Sequence, residues 1–164
     1  MRVLVTTASK HGSTAEIGRA ISEVLSAEGI DARVSEPEDV TGLDGYDAVV
    51  LGSAVYFGHW MKSMLKFVER QTAELAKRPV WLFSSGPIPA GQTTPDEVCD
   101  VDEIMQETGA RGHFIFSGKI DRKSLNFGER AVINAMKGEE GDFRDWDEIR
   151  DRALSIAVEL KTSV

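Results

Sequence analysis

The chain has 164 residues, 41% of them hydrophobic and 28% charged, the balance of one folded domain, spanning 1–164, with a core of its own. Its 19 Lys and Arg against 27 Asp and Glu leave a formal net charge of −8, which argues against nucleic acid as a partner and allows at most peripheral contact with an anionic membrane. One cysteine, Cys99, excludes an intramolecular disulfide, and no apolar run nears the roughly 20 residues that span a bilayer, so the expected location is cytoplasmic.

Residues 3–7 are a short β-branched run that reads as a strand. Residues 14–28 follow with Ile17, Ala20, Ile21, Val24 and Leu25 on one helical face, and Gly29 stands where a helix C-cap belongs. A second, shorter strand is expected over 30–35, and a third over 46–53, where the lack of polar interruption is the pattern of a strand buried on both faces of a parallel sheet. A helix over 60–76 and a strand over 80–84 come next, closed by the breaker cluster Gly86-Pro87-Ile88-Pro89. Residues 95–107 fit a helix with Pro95 in its first turn, 112–118 a fifth strand, and 146–160 a closing helix with Ile149, Ala153, Ile156, Ala157 and Leu160 inward. Between them, about 119–143 is irregular in pattern and reads as an insertion. Cys99, on the predicted helix, reads as a buried or half-buried structural thiol, and His11 and His113 lack any ligand spacing, so no metal is expected.

Strands alternating with helices predict an α/β three-layer sandwich: a five-stranded parallel sheet, order 2-1-3-4-5, with helices on both faces. Ligands bind such sheets beyond the carboxyl ends of the strands at the switch point, here the ends of the first and third strands. The loop at the first carries Ser9, Lys10, His11, Gly12, Ser13 and Thr14. Hydroxyls, a glycine and a helix N-terminus together suit a phosphate, with Lys10 or His11 adding positive charge. The competing reading is a hydrophilic turn in which Ser13 or Thr14 only caps the helix. No Walker A or Gly-x-Gly-x-x-Gly pattern is present. The loop at the third strand carries Ser53, Ala54, Val55, Tyr56, Phe57, Gly58, His59 and Trp60, whose aromatics suit a planar ring or, taken singly, the core. The coincidence of the two loops favours the ligand reading.

At these residues the chain resembles the flavodoxin superfamily. Ser9, Gly12 and Thr14 match its signature after the first strand, whereas Thr6, Thr7 and Gly18 stand where an aliphatic, an aromatic and an alanine are usual. The resemblance implies FMN, with its phosphate on residues 9–14 and its ring against residues 53–59 and 84–91, which include Ser84, Ser85 and Gly86. Within the superfamily the stretch 51–59, the Lys66-Phe67-Val68 end of the next helix and the Asp145-Trp146 entry to the last resemble the menaquinone-dependent protoporphyrinogen oxidase subfamily. That implies oxidation of a reduced tetrapyrrole with electrons passed to a quinone. The insertion departs from the subfamily's basic one, since Arg122, Lys123, Arg130 and Lys137 are offset by Glu129, Glu139, Glu140 and Asp142. A flavodoxin-type electron carrier docking its acidic face on a basic redox protein is therefore the alternative. His59, beside the expected ring, is the one candidate for relaying a proton, its other reading being a helix-entry histidine bonded to nearby backbone.

Overall fold

Five parallel strands form the sheet: β1 (Arg2–Ala8), β2 (Asp31–Ser35), β3 (Ala48–Tyr56), β5 (Val80–Gly86) and β6 (Gly112–Ser117), in spatial order β2-β1-β3-β5-β6. This is the expected 2-1-3-4-5 arrangement once the short β4 (His59–Trp60), antiparallel to the end of β3, is set aside. The computed structural model describes residues 1–86, 98–121, 123, 125–135 and 140–163. The remaining elements are α1 (Ser13–Ala27), α2 (Lys62–Leu75), α3 (Val101–Thr108), β7 (Lys119–Ile120), α4 (Phe127–Ala135), β8 (Gly141–Asp142) and α5 (Trp146–Thr162).

Side-chain alternation along the central strands divides the core into two layers. Val3, Val5, Val50, Trp81 and Phe83 meet the inward faces of α1 and α5, with Ile17, Ile21, Ile149 and Ile156. Leu4, Val49, Leu51 and Leu82 meet α2 and α3 through Met64, Phe67 and Ile104. Both faces are covered, which is why these strands carry almost no polar residues. β1 pairs with β2 on one side and β3 on the other, so the chain leaves the sheet in opposite directions from neighbouring strand ends and opens a crevice there.

Two glycines depend on close approach. A Cβ at Gly52 would lie 2.1 Å from the Phe83 ring, and one at Gly18 would lie 2.5 Å from Cγ2 of Thr7. Thr7 and Gly18, two departures from the superfamily signature, are therefore one packing pair across β1 and α1.

Several local expectations are corrected. Strand β3 runs on to Tyr56, and Phe57 and Gly58, with φ of 51° and 78°, make the two-residue turn into β4. Such left-handed pairs match the twist of a hairpin. Trp60 consequently lies in β4, fully buried, and α2 begins only at Lys62. Helix α3 begins at Val101, Pro95 lies outside the described residues, and Cys99 is exposed in the turn before the helix rather than buried within it. The insertion read as irregular holds a helix, α4, and the small β7–β8 ladder.

Candidate functional site

The loop from β1 to α1 is shaped by Gly12, whose φ of 85° turns the chain into the helix. Its N–H donates to Ser9 Oγ at 2.9 Å. Neither Ser13 nor Thr14 caps the helix: the N-cap is Gly12 and no side chain closes the end. Thr14 is buried, and the Ser13 hydroxyl oxygen is buried with no hydrogen-bond partner. A first helical turn also leaves its N–H groups without intrahelical acceptors. Donors without acceptors at the positive end of a helix are a site for an anion.

These groups open onto a cleft. Ser9, His11, Ser13 and Thr14 line one wall, Ala54, Val55 and Tyr56 of β3 a second, and Ser85 and Gly86 of β5 a third, with Gly118 and Lys119 closing it. A Cβ on Gly118 would meet the Gly86 carbonyl oxygen at 2.5 Å, so the two strand ends can come this close only with glycine there. Burial pushes the Tyr56 phenol pKa up, so the ring stays neutral. A more open depression on α5 is lined by Asp145, Asp147, Glu148, Asp151, Arg152 and Ser155, and its four carboxylates against one guanidinium do not suit an anion.

Lys10, Gly12, Ser53, Phe57, Gly58 and Ser84 do not line the cleft. Ser53, fully buried, donates to the Ala54 carbonyl at 2.9 Å and accepts from the Met61 N–H at 2.9 Å, fixing the end of β3 to the start of α2. Ser84 sits in the core, where its oxygen accepts from Trp60 Nε1 at 2.8 Å and lies 2.7 Å from His113 Nε2. An indole N–H only donates, so the Ser84 oxygen accepts from Trp60, and the direction of its bond to His113 follows the imidazole tautomer. Burial holds the His113 pKa below the ordinary histidine value, against a smaller opposing pull from Asp102. Phe57 is 81% exposed.

The insertion is fastened to the loop at two points. Glu129 of α4 pairs with both Lys10 and His11, the latter at 2.8 Å. The two basic side chains expected to add charge to an anion site are thus met by a carboxylate. Burial, and then the neighbouring Lys10, lowers the pKa of His11. Arg144, its side chain only 4% exposed, bonds Asp142 at 2.7 Å and Glu16 at 2.5 Å, reaches the Ser13 carbonyl, and lies 4.6 Å from the Trp146 ring centroid. Hydrogen bonds from Arg144 hold the Asp142 carboxyl below its usual pKa.

On the hairpin side, Asp100 accepts from the Trp60 N–H at 2.9 Å and lies 3.2 Å from His59 Nδ1, while the Cys99 N–H donates to the Gly58 carbonyl at 2.8 Å. Sequence reasoning missed Asp100, Gly118, Lys119, Glu129 and Arg144. An Asp before a helix signals a cap, not a distant partner, and Glu129 carries no local signal at all.

The sheet order and the cleft at its switch point define a flavodoxin-like α/β protein. The chain belongs to the flavodoxin domain family, whose model matches residues 4–147, and it is a flavodoxin-like redox protein of the FMN type. Protoporphyrinogen IX dehydrogenase [quinone] of Escherichia coli K12 is 23% identical to it, over 96% of this chain and 95% of that one. Among solved structures, a flavodoxin from the Archaea superposes with a TM-score of 0.69 at 19% identity, covering 98% and 99% of the two chains. A flavodoxin from Streptococcus pneumonia TIGR4 gives 0.63 at 20% identity over the whole of both. The flavodiiron core Flv1 of Synechocystis gives 0.70 at 14% identity, this chain covering 37% of that one.

Proposed function

We propose that the protein is an FMN-dependent oxidoreductase that takes electrons from a reduced tetrapyrrole and passes them to a quinone. The observation that carries the cofactor is the buried, partnerless Ser13 hydroxyl at the N-terminus of α1. A phosphate monoester would satisfy it together with Ser9, Thr14 and the first-turn N–H groups, on a turn that Gly12 shapes. Because Glu129 already pairs with Lys10 and His11, these hydroxyls and amides do most of the binding, and the two basic side chains serve the insertion. The walls formed by Ser53, Ala54, Val55, Tyr56, Phe57 and Gly58 on one side and Ser84, Ser85 and Gly86 on the other orient the ring, some by contact and some by holding the strand ends in place. Bound FMN supplies reversible two-electron chemistry that no side chain of this chain provides. Glu129 pins the insertion to the loop after β1, and Arg144, just beyond it, ties the same segment to Glu16 in the first turn of α1.

Support for the tetrapyrrole and the quinone comes from the Escherichia coli relative, collinear with nearly the whole chain, and from Phe57, an exposed ring beside the cleft that suits a planar apolar substrate. No helix among the described residues is long and apolar enough to cross a membrane, so a membrane quinone would be met at the bilayer surface. The test is anaerobic: FMN-loaded protein, protoporphyrinogen and a soluble menaquinone analogue, with porphyrin fluorescence as the readout. Porphyrin formation that requires both FMN and the quinone supports the reading, and its absence with loaded protein contradicts it.

Asp102 and Glu103, exposed in the first turn of α3, favour a second reading as an electron carrier docked on a basic redox protein. In that case electron transfer to a basic cytochrome weakens steeply as salt rises, and porphyrinogen is untouched.

A further inference from the structure

Asp100 immediately precedes α3, the position from which aspartate ordinarily caps a helix, yet its side chain makes no capping bond there. The carboxylate is turned instead to β4, about forty residues earlier in the chain. One oxygen accepts the Trp60 N–H at 2.9 Å, and both oxygens lie within 3.3 Å of His59 Nδ1. A carboxylate on Nδ1 fixes the ring's orientation and tautomer and leaves Nε2 as the working nitrogen. Nε2 of His59 makes no hydrogen bond among the described residues, and its side chain is 57% exposed while that of Asp100 is 22% exposed. His59 pairs across the hairpin with Tyr56, a wall of the cleft, and follows the turn that presents Phe57 to solvent. Among the described residues, the ionisable groups paired with it are Asp100, from the segment before α3, and the neutral Tyr56 phenol of β3.

We propose that His59 is the proton donor to a quinone bound at the Phe57 edge of the cleft, and that Asp100 is its positioning residue. The assignment rests on the FMN- and quinone-dependent reading above. Reducing a quinone to its hydroquinone takes two electrons and two protons. The electrons and one proton would be supplied as a hydride equivalent by FMN, once bound and reduced. The second proton leaves Nε2 of the protonated His59 imidazolium, whose Nδ1–H stays on Asp100: the Nε2–H bond breaks, an O–H bond forms on the quinone carbonyl oxygen, the ring is left neutral, and water then reprotonates Nε2. A carrier that only hands single electrons to a protein partner has no use for this pair.

The experiment uses FMN-loaded protein, photoreduced without oxygen and mixed in a stopped-flow instrument with menadione or, separately, with ferricyanide, which accepts electrons without protons. The expected result is that His59→Gln slows reoxidation by menadione about a hundredfold, the scale of a lost general acid, and abolishes its pH dependence while ferricyanide reacts as before. Asp100→Asn slows menadione several-fold with ferricyanide again unchanged. In the flavin-free protein, titrated until the ring is neutral, nitrogen NMR of the imidazole shows the Nδ1–H tautomer that Asp100 selects, and Asp100→Asn mixes it with the Nε2–H form. Unchanged menadione kinetics in His59→Gln, or equal losses with both oxidants, would overturn the assignment while leaving the proposed function standing. Wild-type protein that takes up no FMN, or that passes no electrons to menadione, would overturn both.

Discussion

Replacing Ser13 with alanine should move stability and cofactor affinity in opposite directions. A buried hydroxyl without a partner costs about 1–3 kcal/mol of desolvation, and the Ser13 oxygen is in that state. Deleting it relieves part of the cost, so flavin-free Ser13→Ala should be about 1 kcal/mol more stable, a rise in Tm of about 2–4 °C for a domain of this size. With FMN the hydroxyl gains a charged acceptor, a bond with a net contribution of about 1.5–3 kcal/mol. Its loss should weaken FMN about ten- to a hundredfold. The control is Thr6, whose hydroxyl is also buried and partnerless but sits within β1, outside the cleft lining. Thr6→Val should raise stability and leave FMN affinity alone. Thermal melts of the flavin-free proteins and quenching of FMN fluorescence supply both readouts. If Ser13→Ala lowers the melting temperature and binds FMN as wild type does, the hydroxyl is structural and the phosphate assignment fails.

Three further outcomes follow from the same geometry. Gly118→Ala puts a Cβ against the Gly86 carbonyl at 2.5 Å, so it should cost about 1–3 kcal/mol in urea unfolding and reduce FMN affinity; unchanged values for both would mean that the strand ends can separate freely. Glu129→Gln leaves Lys10 and His11 without their carboxylate, and FMN should then bind a few-fold more tightly at low salt, with the gain erased by high salt. His113 and His11 both have pKa values held below the ordinary histidine value, so the unfolded chain binds more protons as pH falls below about 6.5. Their contribution is therefore present above that pH and lost on acidification. Urea midpoints should drop between about pH 7 and pH 5, and His113→Gln should flatten part of that fall.

The sheet was legible because its order follows from short apolar runs alternating with amphipathic helices, a pattern carried within each segment. The loop after β1 was legible as one wall of the cleft for the same reason: Ser9, Ser13 and Thr14 lie within a few residues of one another. What escaped acts across the chain. β4 is two residues long and exists only because Tyr56 pairs with His59 across a left-handed turn. Asp100 carries the local pattern of a helix cap, and tertiary contact with His59 and Trp60 overrides it. Glu129 reaches Lys10 across more than a hundred residues, so no periodicity could tie the insertion to the loop. Ser84 lies at the end of a strand aimed toward the cleft, but alternation turns its hydroxyl into the core toward Trp60 and His113. Thr7 and Gly18 look like unrelated departures from the signature until β1 and α1 are seen packed together.

The measurement that bears most directly on the central claim is parallel titration of the purified flavin-free protein with FMN and with riboflavin, which carries the same ring and no phosphate. Binding of one FMN per chain, with riboflavin at least about a hundredfold weaker, is the outcome expected of a site built on the Ser13 hydroxyl and the α1 N-terminus. Equal affinity for the two, or uptake of neither, would contradict it.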